Sequence, residues 1–149
     1  MRRLLIVGCS ETKDHTPGEI PALSRYTGAY FQMIKTATEP LPEIVILSAE
    51  YGFLRSHWPI SDYSRRMDKA CAAELLSDLA GATPLSIVLA SEKYDEVLVA
   101  AGELYRTTIN ESLASLQARG TFKFDVVRST RGGIGEQRSQ LKAWLAGKN

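Results

Sequence analysis

Two short runs of apolar residues constrain the fold more than any other feature of the sequence. Leu4–Val7 and Ile44–Leu47 are apolar at every position, and each is followed directly by a small residue. A strand that is apolar throughout is buried on both faces, which is typical of the parallel sheets of α/β proteins. Parallel strands are joined by crossover connections, usually helices, that cover the faces of the sheet. The two runs therefore predict an α/β fold.

The rest of the sequence alternates between helical and strand patterns. A third buried strand is predicted at Leu85–Ala90, and an edge strand at Phe122–Val126, where apolar and polar residues alternate. Helices are predicted at Ser24–Ala37, after Asp68 through Cys71 to Leu79 with an end near Gly81, at Ser91–Tyr105, at Asn110–Gln117 and through Leu141–Leu145. No linker or repeat interrupts the pattern. We therefore expect one domain over residues 1–149, Rossmann-like, with three layers and a mainly parallel sheet.

Composition argues against several classes of function. The apolar runs are far shorter than the roughly 20 residues that span a bilayer, so we expect no membrane association and a cytoplasmic protein. Cys9 and Cys71 are too few for a disulfide framework. Together with His15 and His57 they lack metal-ligand spacing, so we expect neither a metal nor a cofactor. The net charge of +1 gives no case for bulk binding to nucleic acid, although the chain from Arg119 onward is locally basic.

Four loops are predicted to follow the strands: Gly8–Leu23, Ser48–Met67, Ala90–Lys93 and Arg128–Gly135. The carboxyl ends of parallel strands meet at one edge of a sheet, and α/β proteins place their ligand sites there. We therefore expect any functional site to be built from these loops.

The first loop carries Cys9, Ser10 and Lys13 directly after a buried strand. A turn of small residues can offer backbone N–H groups, and its lysine a cation, to an anionic ligand. It is not a P-loop, because the second glycine and the Gly-Lys-Ser/Thr ending are missing. The alternative is a plain turn with a solvated lysine.

The second loop, Ser48–Met67, is long and rich in aromatic residues and arginine. Tyrosine and tryptophan faces suit stacking on a nucleobase, and arginine suits phosphate. Gly52 follows Tyr51 just after the strand, where a residue without Cβ permits a positive φ or a close backbone approach. The alternative is a hydrophobic cluster that ties the loop to the sheet.

The fourth loop contains three glycines and precedes the last predicted helix. Gly133 and Gly135 would let backbone amides approach a ligand at a helix N-terminus, beside Arg128 and Arg131. A tight corner without a ligand explains the same residues. His15 and His57 are interpreted as solvated histidines.

The sequence resembles the DUF6884 family of uncharacterised proteins over almost its whole length. The residues that carry the resemblance are Cys9, Ser10, Lys13, Pro21, Ala22, Tyr26, Thr27, Gly28, Tyr30, Phe31, Leu47, Ser48, Ala49, Tyr51, Gly52, Leu54, Ile60, Tyr63, Gly133, Ile134, Gly135, Leu141, Trp144 and Leu145. Parts of the pattern are similar to the archaeosine synthase core and to the YaaA family of peroxide-stress proteins. Both similarities imply a connection with nucleobases or nucleic acid.

The resemblance leads to a hypothesis about function: an enzyme that processes a nucleotide, nucleoside or modified nucleobase at the N-glycosidic bond or the base. The candidate catalytic residues are Lys13, Glu50 and Asp62, the carboxylates serving to stabilise an oxocarbenium-like centre or to activate water. The candidate substrate-binding residues are Cys9, Ser10, Ser48, Tyr51, Gly52, Tyr63, Arg66, Gly133 and Gly135. The alternatives are a non-catalytic nucleic-acid-binding module and a nucleotide-sensing module.

Overall fold

The computed structural model describes residues 1–76 and 82–147, which form seven strands and six helices. In chain order these elements are β1 (Arg3–Gly8), β2 (Ile20–Pro21), α1 (Ala22–Arg25), α2 (Ala29–Thr36), β3 (Glu43–Ser48), β4 (Gly52–Arg55), β5 (Pro59–Ile60), α3 (Lys69–Leu76), α4 (Leu85–Val88), β6 (Lys93–Ala100), α5 (Glu103–Ala118), β7 (Lys123–Ser129) and α6 (Ile134–Leu145). The predicted helix positions Leu79 and Gly81 lie outside the described residues.

Five of the strands form a mostly parallel sheet in the order β4-β3-β1-β6-β7. Both apolar runs that predicted the fold are in its interior, because β1 pairs in parallel with β3 on one side and with β6 on the other. The edge strand predicted near Phe122–Val126 is confirmed as β7, which pairs in parallel with β6. At the other edge, β4 runs antiparallel to β3. The mixed α/β fold with a mainly parallel sheet is therefore confirmed.

Alternate residues of the central strands enter two separate hydrophobic clusters, one on each face of the sheet. Leu4 and Ile6 pack on one face with residues of α4 and α5, among them Leu113. Leu5 and Val7 pack on the other face with residues of α1, α2 and α6. Both faces of β1 are thus covered by helices, which explains why the strand is apolar at every position.

The predicted third strand and the helix after it are wrong. Leu85–Val88 form the short helix α4, and the strand beside β1 is β6, within the segment predicted as a helix. Val97–Ala100 are four consecutive buried residues: Val97 and Val99 enter the cluster on one face of the sheet, and Leu98 and Ala100 enter the cluster on the other. The sequence pattern did not indicate a buried strand because the charged residue Glu96 directly precedes these apolar positions. Its carboxylate is buried because it accepts a hydrogen bond from Trp144 Nε1 at 2.5 Å.

The reassignment of β6 also moves one predicted loop. Ala90–Lys93 precedes β6, so it lies at the amino end of the sheet, away from the carboxyl ends of β1 and β3. The carboxyl end of β6 instead leads through Ala101 and Gly102 into α5. That helix contains the shorter helix predicted at Asn110–Gln117 and begins earlier.

Two further expectations need correction near the candidate site. The helix predicted at Ser24–Ala37 is broken into α1 and α2, with Tyr26 in an extended conformation at the end of α1. Ser48–Met67 is not simply a loop, since it contains β4 and β5. The predicted cap of the next helix is confirmed: Asp68 Oδ1 accepts a hydrogen bond from Cys71 N at 2.7 Å.

Within the described ranges, no helix combines the length and the hydropathy needed to cross a bilayer.

Candidate functional site

Two adjoining cavities open where the carboxyl ends of β1 and β6 meet α2, α5 and α6. The first, about 320 Å³, is called the apolar cavity; Gly28–Phe31, Ala101, Gly102, Ile134, Gln137 and Arg138 line it. The second, about 460 Å³, is called the charged cavity; Glu11, Lys13, His15 and Tyr63–Met67 line it. Cys9, Ser10 and Tyr105 line both. The predicted first loop therefore forms the boundary between them.

Cys9 and Tyr105 form the centre of this boundary. The thiol Sγ lies 3.1 Å from the phenol oxygen, within hydrogen-bond range for sulfur. Burial, followed by the negative charge that a Cys9 thiolate would carry, raises the pKa of Tyr105 above its usual value. The phenol is therefore neutral at physiological pH. Gly8 permits the contact, because a Cβ there would lie 3.0 Å from the Tyr105 ring.

Ser10 and Gly28 build the wall on the α2 side. Ser10 Oγ accepts a hydrogen bond from Gly28 N at 3.2 Å and donates one to Thr12 O at 2.7 Å. A Cβ on Gly28 would lie 2.7 Å from Ser10 Cβ, closer than side-chain carbons approach. The break between α1 and α2 thus brings the start of α2 against the first loop, and glycine is required there.

A chain of hydroxyl groups supports the floor of the charged cavity. Ser48 Oγ accepts hydrogen bonds from Glu50 N and Tyr51 N and donates to the Tyr63 hydroxyl at 3.0 Å. The hydroxyls of Tyr63 and Tyr26 are 2.7 Å apart. Burial raises the pKa of both tyrosines, so the chain consists of neutral groups.

Tyr63 also positions the lysine of the first loop. Lys13 Nζ lies 4.5 Å from the centre of the Tyr63 ring, in cation–π range. Tyr51 packs edge-on against the same ring, with the ring centres 5.6 Å apart. The Tyr51 hydroxyl makes a long contact of 3.4 Å to Ser61 O. Tyr51 therefore supports Tyr63 from behind, and Tyr63 contributes directly to the cavity.

The cations of the charged cavity are partly balanced by carboxylates. Arg66 Nε lies 3.6 Å from Glu11 Oε1, and both side chains are well exposed. Arg65 forms an ion pair with Glu74. In this pair Arg65 donates a hydrogen bond to Glu74, and the hydrogen bond raises the pKa of the Arg65 guanidinium above its usual value. Three cations and one carboxylate line the cavity, counting Lys13 and leaving His15 aside.

The predicted site residues fall into three groups. Cys9, Ser10, Lys13, Tyr63 and Arg66 line the cavities. Ser48 and Tyr51 lie behind Tyr63.

The remaining predicted residues, Glu50, Gly52, Asp62, Gly133 and Gly135, are not among those that line the two cavities. Glu50 is exposed in the turn before β4. Asp62 is hydrogen-bonded to His15, which lines the charged cavity.

Gly52 has a structural reason to be glycine. Its φ is +79°, in the left-handed region that favours glycine. A Cβ there would lie 2.8 Å from Thr83 O and 2.9 Å from Thr83 N. Phe53 N and Tyr51 O hydrogen-bond to Thr83. The expected positive φ and close backbone approach are both present.

The glycine-rich turn contributes to the apolar cavity through the helix that it starts. Gly133 precedes the first residue of α6, and Ile134 and Gln137 face the cavity. Gln137 Oε1 accepts hydrogen bonds from the Tyr30 hydroxyl at 3.0 Å and from Thr130 Oγ1 at 2.9 Å. These bonds connect α2 to the end of β7, so the turn opens at the same end of the sheet as the first loop.

Sequence reasoning missed Arg25, which shapes the loop before it. Its side chain has no exposed surface, and its guanidinium donates to the carbonyl oxygens of Asp14, Thr16, Gly18 and Ile60 at 2.7–3.0 Å. The buried cation therefore fixes the segment that carries His15. An arginine in a helical pattern gives no signal of such a role.

Three other contributors were also overlooked as site residues. Tyr30 and Tyr105 were assigned to buried helix faces, and His15 was interpreted as solvated. The tyrosine–threonine–glycine motif was a signal for Tyr30, but nothing in the sequence indicated that Tyr105 meets Cys9. Among the described residues no group of three or more His, Cys, Asp or Glu side chains could hold a metal ion.

The family model of DUF6884, a family of unknown function, matches residues 4–143. No curated protein and no solved structure matches the chain.

Proposed function

The chain belongs to DUF6884, and we propose from its site that it is an enzyme that binds a nucleotide and acts on the base or the N-glycosidic bond. The family match carries no activity with it, so the proposal rests on the residues around the two cavities. It also takes the domain as Rossmann-like, with the ligand site at the carboxyl edge of the sheet.

One observation carries the proposal: an apolar cavity and a charged cavity share a wall. A nucleotide has the same division, with a flat, weakly polar base and an anionic phosphate. Tyr30 and Tyr105 offer aromatic surface for the base. Lys13 and Arg66 offer cations for the phosphate. Both volumes lie within or near the range of small-molecule sites, roughly 300–1,000 Å³.

The reaction requires a carboxylate near the sugar. Acid–base chemistry at a glycosidic bond uses carboxylates to stabilise an oxocarbenium-like centre or to activate water. Glu11 is the carboxylate that lines the charged cavity. Glu50 and Asp62 remain candidates from the sequence, and a bound sugar would have to reach beyond the cavity walls to contact them.

A second candidate function, binding a nucleotide without turnover, is favoured by the placement of these carboxylates. Asp62 is engaged by His15, and Glu50 is exposed and is not among the residues that line the cavities. A sensing module needs the two binding cavities and no catalytic carboxylate. Binding to nucleic acid is a third candidate, which predicts an affinity that falls steeply with salt.

The sequence resemblance supports a nucleobase ligand, since the archaeosine synthase core and the YaaA family share parts of the motif. A cytoplasmic location is part of the same proposal, because Cys9 and Cys71 are both free thiols.

The test combines calorimetry with detection of free base. The protein is incubated with a panel of nucleoside monophosphates, and released base is measured by chromatography. We expect binding and base release, and Lys13→Gln should weaken binding about fivefold, as for loss of one partly exposed charge. The matched control is Lys142→Gln, a lysine exposed on α6. Binding without release would select the sensing function, and absence of both would contradict the proposal.

A further inference from the structure

The charged cavity contains a histidine that the proposed function leaves unused. We propose that His15 binds the phosphate group of the ligand and that Asp62 holds it in position. The inference deepens the proposed function and rests on it for the nature of the ligand, which becomes a phosphate monoester rather than a free nucleoside or base.

His15 and Asp62 form a directed pair. His15 Nδ1 lies 2.6 Å from Asp62 Oδ2, so Asp62 engages one ring nitrogen and leaves Nε2 as the nitrogen available to a ligand. His15 lines the charged cavity, and 75% of its side chain is exposed. When the ring is protonated, an imidazole held by a carboxylate at Nδ1 donates a hydrogen bond from Nε2 in a fixed direction.

The pair is exposed, yet both of its backbone segments are fixed. Arg25 donates to the carbonyl oxygens of Asp14 and Thr16, the residues on either side of His15. The same guanidinium donates to Ile60 O, two residues before Asp62. One buried side chain therefore sets the separation of the two segments, which distinguishes this pair from an ordinary surface ion pair.

Cations and carboxylates both lie around His15, and among the residues that line the cavity the cations are in excess. Lys13, Arg65 and Arg66 line the same cavity, opposed by Glu11. Asp62 and Asp14 are the acidic neighbours of His15, and the pKa of both carboxyls is lowered, Asp62 first by its hydrogen bond with His15 and Asp14 first by Thr16. The other titratable groups on the cavity are Cys9, Tyr63 and Tyr105. Asp62 is therefore ionised at neutral pH and accepts the hydrogen bond from His15.

Sulfate is the probe that isolates this contribution. Sulfate remains a dianion across the pH range in which histidine ordinarily titrates. A phosphate monoester gains a proton near pH 6, within that same range, so its own charge would change during the experiment. The chain has two histidines, so their ring C–H signals in NMR spectra are resolved without difficulty. His57, exposed on the turn between β4 and β5, is the internal control.

We expect sulfate to shift the His15 signals and leave those of His57 unchanged. His15→Gln should weaken sulfate binding about two- to fivefold at pH values below the histidine titration and abolish most of the pH dependence, whereas His57→Gln changes neither. Asp62→Asn should reduce the shift that sulfate causes in the His15 signals and leave those of His57 unchanged, because the ring is no longer held at Nδ1. If sulfate shifts the His15 signals of this variant as it does in the parent protein, Asp62 does not position the ring.

The inference is overturned if sulfate does not bind, or if His15→Gln binds sulfate and nucleoside monophosphates as the parent protein does. In the latter case nucleotide binding by the parent protein leaves the proposed function standing. Conversely, sulfate binding that depends on His15, with no binding of any nucleoside monophosphate, supports the phosphate site and contradicts the nucleotide function.

Discussion

The Tyr63 hydroxyl joins two buried polar groups, so its removal by Tyr63→Phe measures what the hydroxyl chain contributes to stability. In the parent protein this hydroxyl accepts a hydrogen bond from Ser48 Oγ and pairs with the Tyr26 hydroxyl. Tyr26 has no exposed surface. After the substitution, the buried Tyr26 hydroxyl loses one of its two partners, and an incompletely paired buried polar group is destabilising.

The magnitude follows from the two hydrogen bonds that the substitution removes. Each hydrogen bond contributes about 0.5–1.5 kcal/mol to stability. Ser48 also interacts with the Tyr26 hydroxyl and can recover part of this stabilisation. We expect the free energy of unfolding to fall by about 1–2 kcal/mol, which corresponds to a melting temperature lower by about 2–8 °C in a chain of this size.

The assay is thermal and denaturant unfolding of four variants: Tyr63→Phe, Tyr51→Phe, Tyr26→Phe and the double variant of Tyr26 and Tyr63. Tyr51→Phe is the matched control, because the Tyr51 hydroxyl makes a long, exposed contact, and it should stay within about 0.5 kcal/mol of the parent. Tyr26→Phe combined with Tyr63→Phe should cost less than the sum of the single changes, because the double variant leaves no orphaned phenol. Nucleotide binding should survive Tyr63→Phe, since the ring beneath Lys13 remains.

Two results would refute this reasoning. If Tyr63→Phe is as stable as Tyr51→Phe, the hydroxyl chain does not stabilise the fold. If the effects of Tyr26→Phe and Tyr63→Phe add, the two phenols do not interact energetically.

Three other substitutions test the geometry of the site. Gly52→Ala should lower the free energy of unfolding by at least about 2 kcal/mol, measured by denaturant titration, because it combines a positive φ with a clash against Thr83; a neutral effect would show that this turn can relax. Gly28→Ala should displace Ser10 and weaken ligand binding in calorimetry, whereas Gly133→Ala, with no heavy atom within 4 Å of the added Cβ, is the control and should leave binding unchanged. Arg25→Met should speed amide hydrogen exchange at residues 14–18 more than at β1, since the substitution removes the hydrogen bonds to four carbonyl oxygens together; uniform exchange rates would contradict this role.

The candidate site was only partly accessible to sequence reasoning. Cys9, Ser10 and Lys13 could be placed at the edge of the sheet where the cavity opens, because they follow a strand that is unambiguous in the sequence. The partners that complete the cavities come from elsewhere. Tyr105 meets Cys9 across 96 positions of the chain, and Asp62 meets His15 across 47. Contacts of this kind depend on loop paths and helix placement, which local patterns do not encode.

The sequence by itself determined β1, β3 and the edge strand β7. Four consecutive apolar residues at Leu4–Val7 are typical of a strand buried on both faces, and the alternation at Phe122–Val126 is typical of a strand with one wet face. Only the tertiary structure shows that β6, and not Leu85–Val88, is the strand beside β1. The apolar spacing of β6 fits a helix and a strand equally. The strand prevails because the helices on the two faces of the sheet bury Val97–Ala100, and because Trp144, 48 residues away, satisfies the buried carboxylate of Glu96. Local periodicity carries neither of these interactions.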